Sequence, residues 1–159
     1  MDLSVLAAWW GAGIATLLLV WDIFKWLTSG PRLVFTASAD WVMVIHGLGK
    51  TDATYISLTA ANRGHIPATL SHVGLLYYKS HVKRLLRQPN EKFVVTQPGA
   101  NFSGDLPVVL RPGEVWQGGI IQDEKIESML SNGILESHLF HSASKWAVRA
   151  KVKLKRRAT

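Results

Sequence analysis

The chain has 159 residues, with 18 Lys or Arg against 11 Asp or Glu, a net charge of +7 and no cysteine. The length beyond an N-terminal apolar segment is enough for one domain with one core, but not comfortably for two. The absence of cysteine excludes disulfides and fits a reducing compartment without requiring one.

The first predicted element is an apolar helix at the N-terminus. No residue from Leu3 to Trp21 is charged, and a helix of that length reaches roughly the 30 Å of a bilayer's hydrocarbon core. A cleaved signal peptide is disfavoured, because Asp2 carries the one side-chain charge before the apolar run and bulky residues follow it. Residues 1–30 are therefore predicted to be a retained transmembrane anchor with a short linker.

Two features of the anchor predict its orientation and its contacts. Lys25 and Arg32 follow the apolar run and no Lys or Arg precedes it, which predicts a single-pass protein of the inner membrane with a cytoplasmic head. Ala7, Gly11 and Ala15 recur every four residues, and such a stripe lets helices approach closely in lipid. It predicts a homo-oligomer or a protein partner at the anchor. The alternative is that Ala and Gly are simply common in transmembrane helices.

Residues 31–155 are predicted to form a mainly β domain, because apolar residues alternate with polar ones along most of this range. The predicted strands lie near residues 33–37, 41–45, 55–61, 73–78, 92–96, 106–110, 115–121 and 146–154. Asp123–Leu130 is predicted to be a short helix, since its apolar residues follow helical spacing and Asn132-Gly133 ends it. This order of many short strands with one short helix late in the chain favours an immunoglobulin-like antiparallel β-sandwich over an open barrel.

Three stretches of the head carry a resemblance to a known group. Ile56–Leu75 (ISLTAANRGHIPATLSHVGL), Leu110–Gly118 (LRPGEVWQG) and Leu139–Lys145 (LFHSASK) resemble segments of small, uncharacterised bacterial or prophage-encoded β-sandwich proteins, which often have an N-terminal membrane helix. Trp146 stands where proline is expected in that group. The resemblance implies the sandwich fold and the membrane anchor, and it implies no activity.

Positive charge is concentrated at the C-terminus. Residues 29–159 contain 17 Lys or Arg against 9 Asp or Glu, and the last 15 residues contain seven basic residues and no acid. Alternation predicts one face towards the core, made of Trp146, Val148, Ala150, Val152 and Leu154. The opposite face carries basic side chains about 6.7 Å apart. The predicted binding site for an anionic partner, including the basic tail 156–159, is Arg149, Lys151, Lys153, Lys155, Arg156 and Arg157.

We call the basic side chains from Arg149 to Arg157 the basic ladder. Its predicted partner is an anionic lipid surface or an acidic protein. The alternative is that the lysines only prevent unwanted strand pairing or favour cytoplasmic retention. Nucleic acid is disfavoured but not excluded, because a single-strand platform needs exposed aromatic residues and Trp146 is predicted to face the core.

No catalytic, cofactor or metal site is predicted. His138 and His141 are the histidines closest in sequence, but in a strand they point to opposite faces and cannot share an ion. The stretch His141–Lys145 lacks the sharp turn of a catalytic serine. We therefore expect a membrane-tethered, non-enzymatic interaction module. The alternative, which rests on the resemblance and the small anchored architecture, is a prophage or host membrane protein that acts in phage exclusion or anti-phage defence.

Overall fold

The N-terminal apolar segment forms one continuous helix, α1 (Leu3–Thr28), in the computed structural model, which describes residues 2–28, 30–45, 49–98 and 102–154. Leu3–Trp26 is long and apolar enough to cross a membrane, with a mean hydropathy of 1.9 and none of its most apolar window buried. The chain divides into two compact units, Met1–Gly30 and Pro31–Thr159. The predicted apolar spanning helix is thus confirmed in length and composition.

The second unit is built from strands, with two short helices. The strands are β1 (Leu33–Ile45), β2 (Gly49–Asn62), β3 (Ala68–Tyr78), β4 (Glu91–Val95), β5 (Val108–Leu110), β6 (Val115–Ile121), β7 (Ile134–His141) and β8 (Val148–Lys151). The helices are α2 (His81–Leu85), between β3 and β4, and α3 (Glu124–Asn132), between β6 and β7.

The strands form two antiparallel sheets around one core. The first sheet has the order β1-β2-β6, and the second has the order β4-β3-β7-β8, with β5 also paired to β3. Both sheets contribute to one cluster of buried apolar residues, whose largest fully buried side chain is Trp116. The mainly β class is confirmed.

The end of the chain links the two sheets on one side. β8 pairs with β7 up to Lys151, and Lys153 then forms a parallel bridge with Ser38 of β1. Its carbonyl oxygen accepts from the Ala39 amide at 2.9 Å. The final segment therefore runs in the same direction as β1, away from Leu33.

Two predicted core residues of the final strand are wrong. Trp146 is 69% exposed and Leu154 is 55% exposed, whereas Val152 is buried. Trp146 precedes β8, in a turn where its amide donates to Ser144 Oγ at 3.0 Å. Leu154 follows the residue that bridges to β1. The alternation in burial therefore holds only from Val148 to Lys153, where β7 and β1 supply neighbours.

Candidate anion-binding site

The basic ladder occupies the edge of the second sheet. Arg149, Lys151 and Lys153 are exposed, while the residues between them are half-buried or buried, as the alternation predicts. Lys155, Arg156 and Arg157, also predicted to bind the anionic partner, lie outside the described residues. The structure therefore describes three residues of the basic ladder: Arg149, Lys151 and Lys153.

The neighbouring strand β7 places two polar residues beside the ladder. His138 is paired with Arg149 and Glu136 with Lys151, so each pair shares one face of the sheet. Glu136 and His138 are both buried, with exposed fractions of 5% and 8%. A carboxylate so buried needs a partner.

Helix α2 supplies that partner. Its N-cap is Ser80, whose side chain accepts from the Lys83 amide, and the helix places the Arg84 Nε 2.5 Å from Oε1 of Glu136. The other carboxylate oxygen of Glu136 lies 3.4 Å from Nε2 of His138. The acid is therefore held between a guanidinium and an imidazole, and its charge is already compensated within the domain.

The pKa shifts of two buried groups show that the surrounding charges are close together. Burial lowers the pKa of His138, and Arg149 lowers it further, while the hydrogen bond to Glu136 opposes both effects. Burial and then Glu136 raise the pKa of the Tyr78 phenol, and three arginines oppose this. Those arginines are Arg149, Arg84 and Arg87. The α2 segment and β8 thus bring three guanidinium groups to one region of the sheet.

Trp146 extends this surface. The guanidinium carbon of Arg87 lies 5.9 Å from the centre of the Trp146 ring, within the range of a cation–π interaction. This contact leaves the indole largely exposed, at 69%. The reason given against nucleic acid, that Trp146 faces the core, is therefore wrong.

We call this surface the basic face and define it by Arg84, Arg87, Arg149, Lys151 and Lys153. Glu136 is the acid that lies against it, and it is paired with Arg84. Over the part of the chain that the structure describes, the other four cations form no ion pair. Their charge is available to an anion. The sequence alternation identifies the β8 residues, but it does not identify Arg84 and Arg87; the signal that points to their helix is Ser80 as an N-cap.

The histidines do not assemble a metal site in residues 2–28, 30–45, 49–98 and 102–154, where no group of three His, Asp or Glu could hold an ion. His138 and His141 lie on the same strand at an odd spacing, hence on opposite faces. Nδ1 of His141 accepts instead from the Ala143 amide at 3.2 Å.

The small-residue stripe of the anchor lies open on α1. Ala7, Gly11 and Ala15 are exposed, and a Cβ added at Gly11 would meet nothing within 4 Å. Self-association through these residues stays a prediction.

Comparison with protein-family models gives no match for this chain, and comparison with curated proteins gives none either. The resemblance to small bacterial β-sandwich proteins stays a prediction, as does a role in phage exclusion.

Proposed function

We propose that this protein is a membrane-anchored, non-enzymatic interaction module whose basic face binds an acidic protein. The helix α1 holds it in the inner membrane, and the β domain lies in the cytoplasm. The domain is an immunoglobulin-like sandwich. Its two antiparallel sheets, its single core and the repeated crossing of the chain between sheets support that assignment.

The observation that carries the proposal is the excess of positive charge on the basic face. Arg87, Arg149, Lys151 and Lys153 are exposed, whereas Glu136, the acid opposite Lys151, is buried and paired with Arg84. Exposed like charges repel one another, and an acidic partner would relieve that repulsion and steer association. Lysines that served only to block strand pairing would not require additional arginines, Arg84 in α2 and Arg87 just after it.

The direction of the final strand favours a protein over lipid headgroups. Four residues, 29–32, separate α1 from β1. The basic residues of β8 follow the direction of β1, as the parallel bridge between Ser38 and Lys153 indicates. Within the β domain, the ladder therefore extends away from the end at which Leu33 lies, and we take a cytoplasmic macromolecule rather than a lipid surface as its partner. Trp146 alone does not make a platform on which successive bases stack.

The test uses the full chain in nanodiscs of neutral lipid and measures binding to polyglutamate, the acidic probe. The variant carries Arg149→Glu, Lys151→Glu and Lys153→Glu. We expect wild-type binding that weakens as salt rises, because exposed charges are screened over about 8–10 Å. We expect the variant to bind at least roughly tenfold more weakly, since each tenfold needs only about 1.4 kcal/mol.

A matched control separates a local site from net charge. Arg63→Glu, Lys79→Glu and Arg111→Glu make the same change in charge at exposed residues outside the basic face, and should leave most of the binding intact. If both variants lose binding to polyglutamate equally, the basic face acts only through the net charge of the domain and is not a local binding site. Stronger binding to anionic vesicles or to a single-stranded oligonucleotide than to polyglutamate would assign the face to lipid or nucleic acid instead.

The cytoplasmic location rests on Lys25 and Arg32, which lie on the C-terminal side of the apolar run. Alkaline phosphatase fused after Thr159, a reporter that is active only in the periplasm, should stay inactive. An active fusion would place the head on the other side of the membrane.

A further inference from the structure

A cleft of about 370 Å³ lies between the two sheets, on the side away from the link between β1 and β8. The edge strands β4 and β6 form two of its walls, and α3 lies against it. Its deepest residues are Leu75, Met129 and Leu135, which are all buried. The cleft is separate from the basic face, and it falls within the size range of small-ligand sites.

The interior of the cleft is apolar. Its walls are mostly aliphatic and aromatic, and four of its fifteen lining residues, Tyr55, Thr96, Asp123 and Lys125, carry polar side chains. A Cβ at Gly119 would overlap the Phe102 ring, so glycine here lets that ring close against β6. A polar ligand group placed among the aliphatic and aromatic walls would lose hydrogen bonds to water.

The rim has charges of both signs. Lys125 Nζ lies 3.0 Å from an oxygen of Glu91 and 4.8 Å from the centre of the Phe93 ring. The Asp123 carboxylate caps α3 by accepting from the Ile126 amide at 2.7 Å. Lys125 and Asp123 thus bring one ammonium and one carboxylate to the lining, and Glu91 adds a second carboxylate beside Lys125. This arrangement disfavours a purely anionic headgroup.

We propose that this cleft binds the hydrocarbon chain of a zwitterionic, single-chain phospholipid. Apolar cavities of about 150 Å³ hold benzene, so this cleft has room for a longer hydrocarbon but is small for two chains. The phosphate of the headgroup lies towards Lys125, and its ammonium towards Glu91 and Asp123. The anchor proposed above would keep the domain beside a bilayer, where such amphiphiles are concentrated, and the inference rests on that part of the proposed function. This proposal does not depend on the basic face.

The test uses the full chain in nanodiscs with a trace of lysophosphatidylcholine that carries a diazirine near its chain end. After irradiation, mass spectrometry maps the labelled peptides. We expect label on β4 and α3, in addition to label on α1, which lipid surrounds in any case. Ile126→Trp fills the cleft and should lower the label on β4 by roughly tenfold or more, with the label on α1 unchanged.

Two further variants keep the result interpretable. Val115→Trp adds the same indole at an exposed position of β6 outside the cleft, and should leave the label on β4 unchanged. Thr96→Trp fills the cleft from the opposite wall at an exposed position, and decides the matter if Ile126→Trp unfolds. Label confined to α1 in the wild type, or label on β4 that survives both filling variants, would overturn the proposal. Competition by palmitate as strong as that by palmitoyl-lysophosphatidylcholine would overturn the headgroup assignment.

Discussion

Asn62 organises the turn at which the chain passes from the first sheet to the second. It is fully buried, and its Nδ2 donates to the carbonyl oxygens of Ile66 and Leu110, at 2.9 and 3.1 Å. Its Oδ1 accepts from the Gly64 amide at 3.0 Å. Asn62 and Gly64 thus serve turn geometry, and Asn62 also attaches β5 to this turn.

Asn62→Ala should destabilise the domain by about 2–4 kcal/mol, because it removes three hydrogen bonds and leaves buried backbone groups without partners. Unfolding of the full chain in urea, followed by tryptophan fluorescence, measures this. Ser137→Ala is the control: its hydroxyl is buried with no hydrogen-bond partner among the described residues, so its removal should be neutral or slightly stabilising. Equal losses in the two variants would mean that burial, rather than hydrogen bonding, explains the role of Asn62.

His138 makes the stability of the domain depend on pH. Burial lowers its pKa in the folded state, so the unfolded chain, with a pKa near 6.5, takes up the proton first as pH falls. The contribution of His138 is fully present above about pH 6.5 and is lost as pH falls through the lower, folded-state pKa. We expect the melting temperature to fall between pH 7.5 and pH 5.

His138→Gln should reduce this fall, since glutamine can still hydrogen-bond to Glu136 but cannot be protonated in this range. Part of the fall should remain, because burial also lowers the pKa of His141. The exposed His65 provides the control variant, His65→Gln. A pH dependence identical in the wild type and His138→Gln would contradict this assignment.

At the scale of elements, alternation predicts a strand where one face is buried and the other is exposed. β2 meets this condition: Ile56, Leu58 and Ala60 are fully buried, with half-buried residues between them. The helix α3 is also predicted, because Asp123 caps it and its apolar residues follow helical spacing. These elements are predictable because, in each, the apolar residues that contact the core recur at the spacing of that kind of secondary structure.

The sequence pattern does not predict β7 or α2, and one physical reason explains both omissions. The residues of β7 from Ile134 to Leu139 are all buried, so its sequence, ILESHLFH, shows no alternation. Its outer-face residues Glu136 and His138 are buried, and Arg84 of α2 pairs with Glu136, although α2 itself has five residues and no buried side chain. The part of the candidate site on β8 is therefore predictable from local pattern, whereas Arg84 and Arg87 depend on a tertiary contact.

At the scale of the whole molecule, the apolar surface of α1 remains to be covered. None of the most apolar part of Leu3–Trp26 is buried within the chain. In a membrane, lipid or another helix would cover it. Ala7, Gly11 and Ala15 offer an exposed line of small residues along which a second helix could approach closely. A dimer would present two basic faces to one partner, and a second contact of that kind raises avidity without any new interaction.

Gly11→Ile should lower the yield of oligomers that are crosslinked in membranes, because a branched side chain in the middle of the stripe prevents close approach. Gly13→Ile is the matched control. It introduces the same side chain at nearly the same depth, about 200° further round a helix of 3.6 residues per turn, and both glycines have open space around them. We expect Gly13→Ile to leave the oligomer yield unchanged and both variants to insert normally. Equal loss in the two variants would locate the contact elsewhere on α1, and no loss in either would show that the small residues have no role in association.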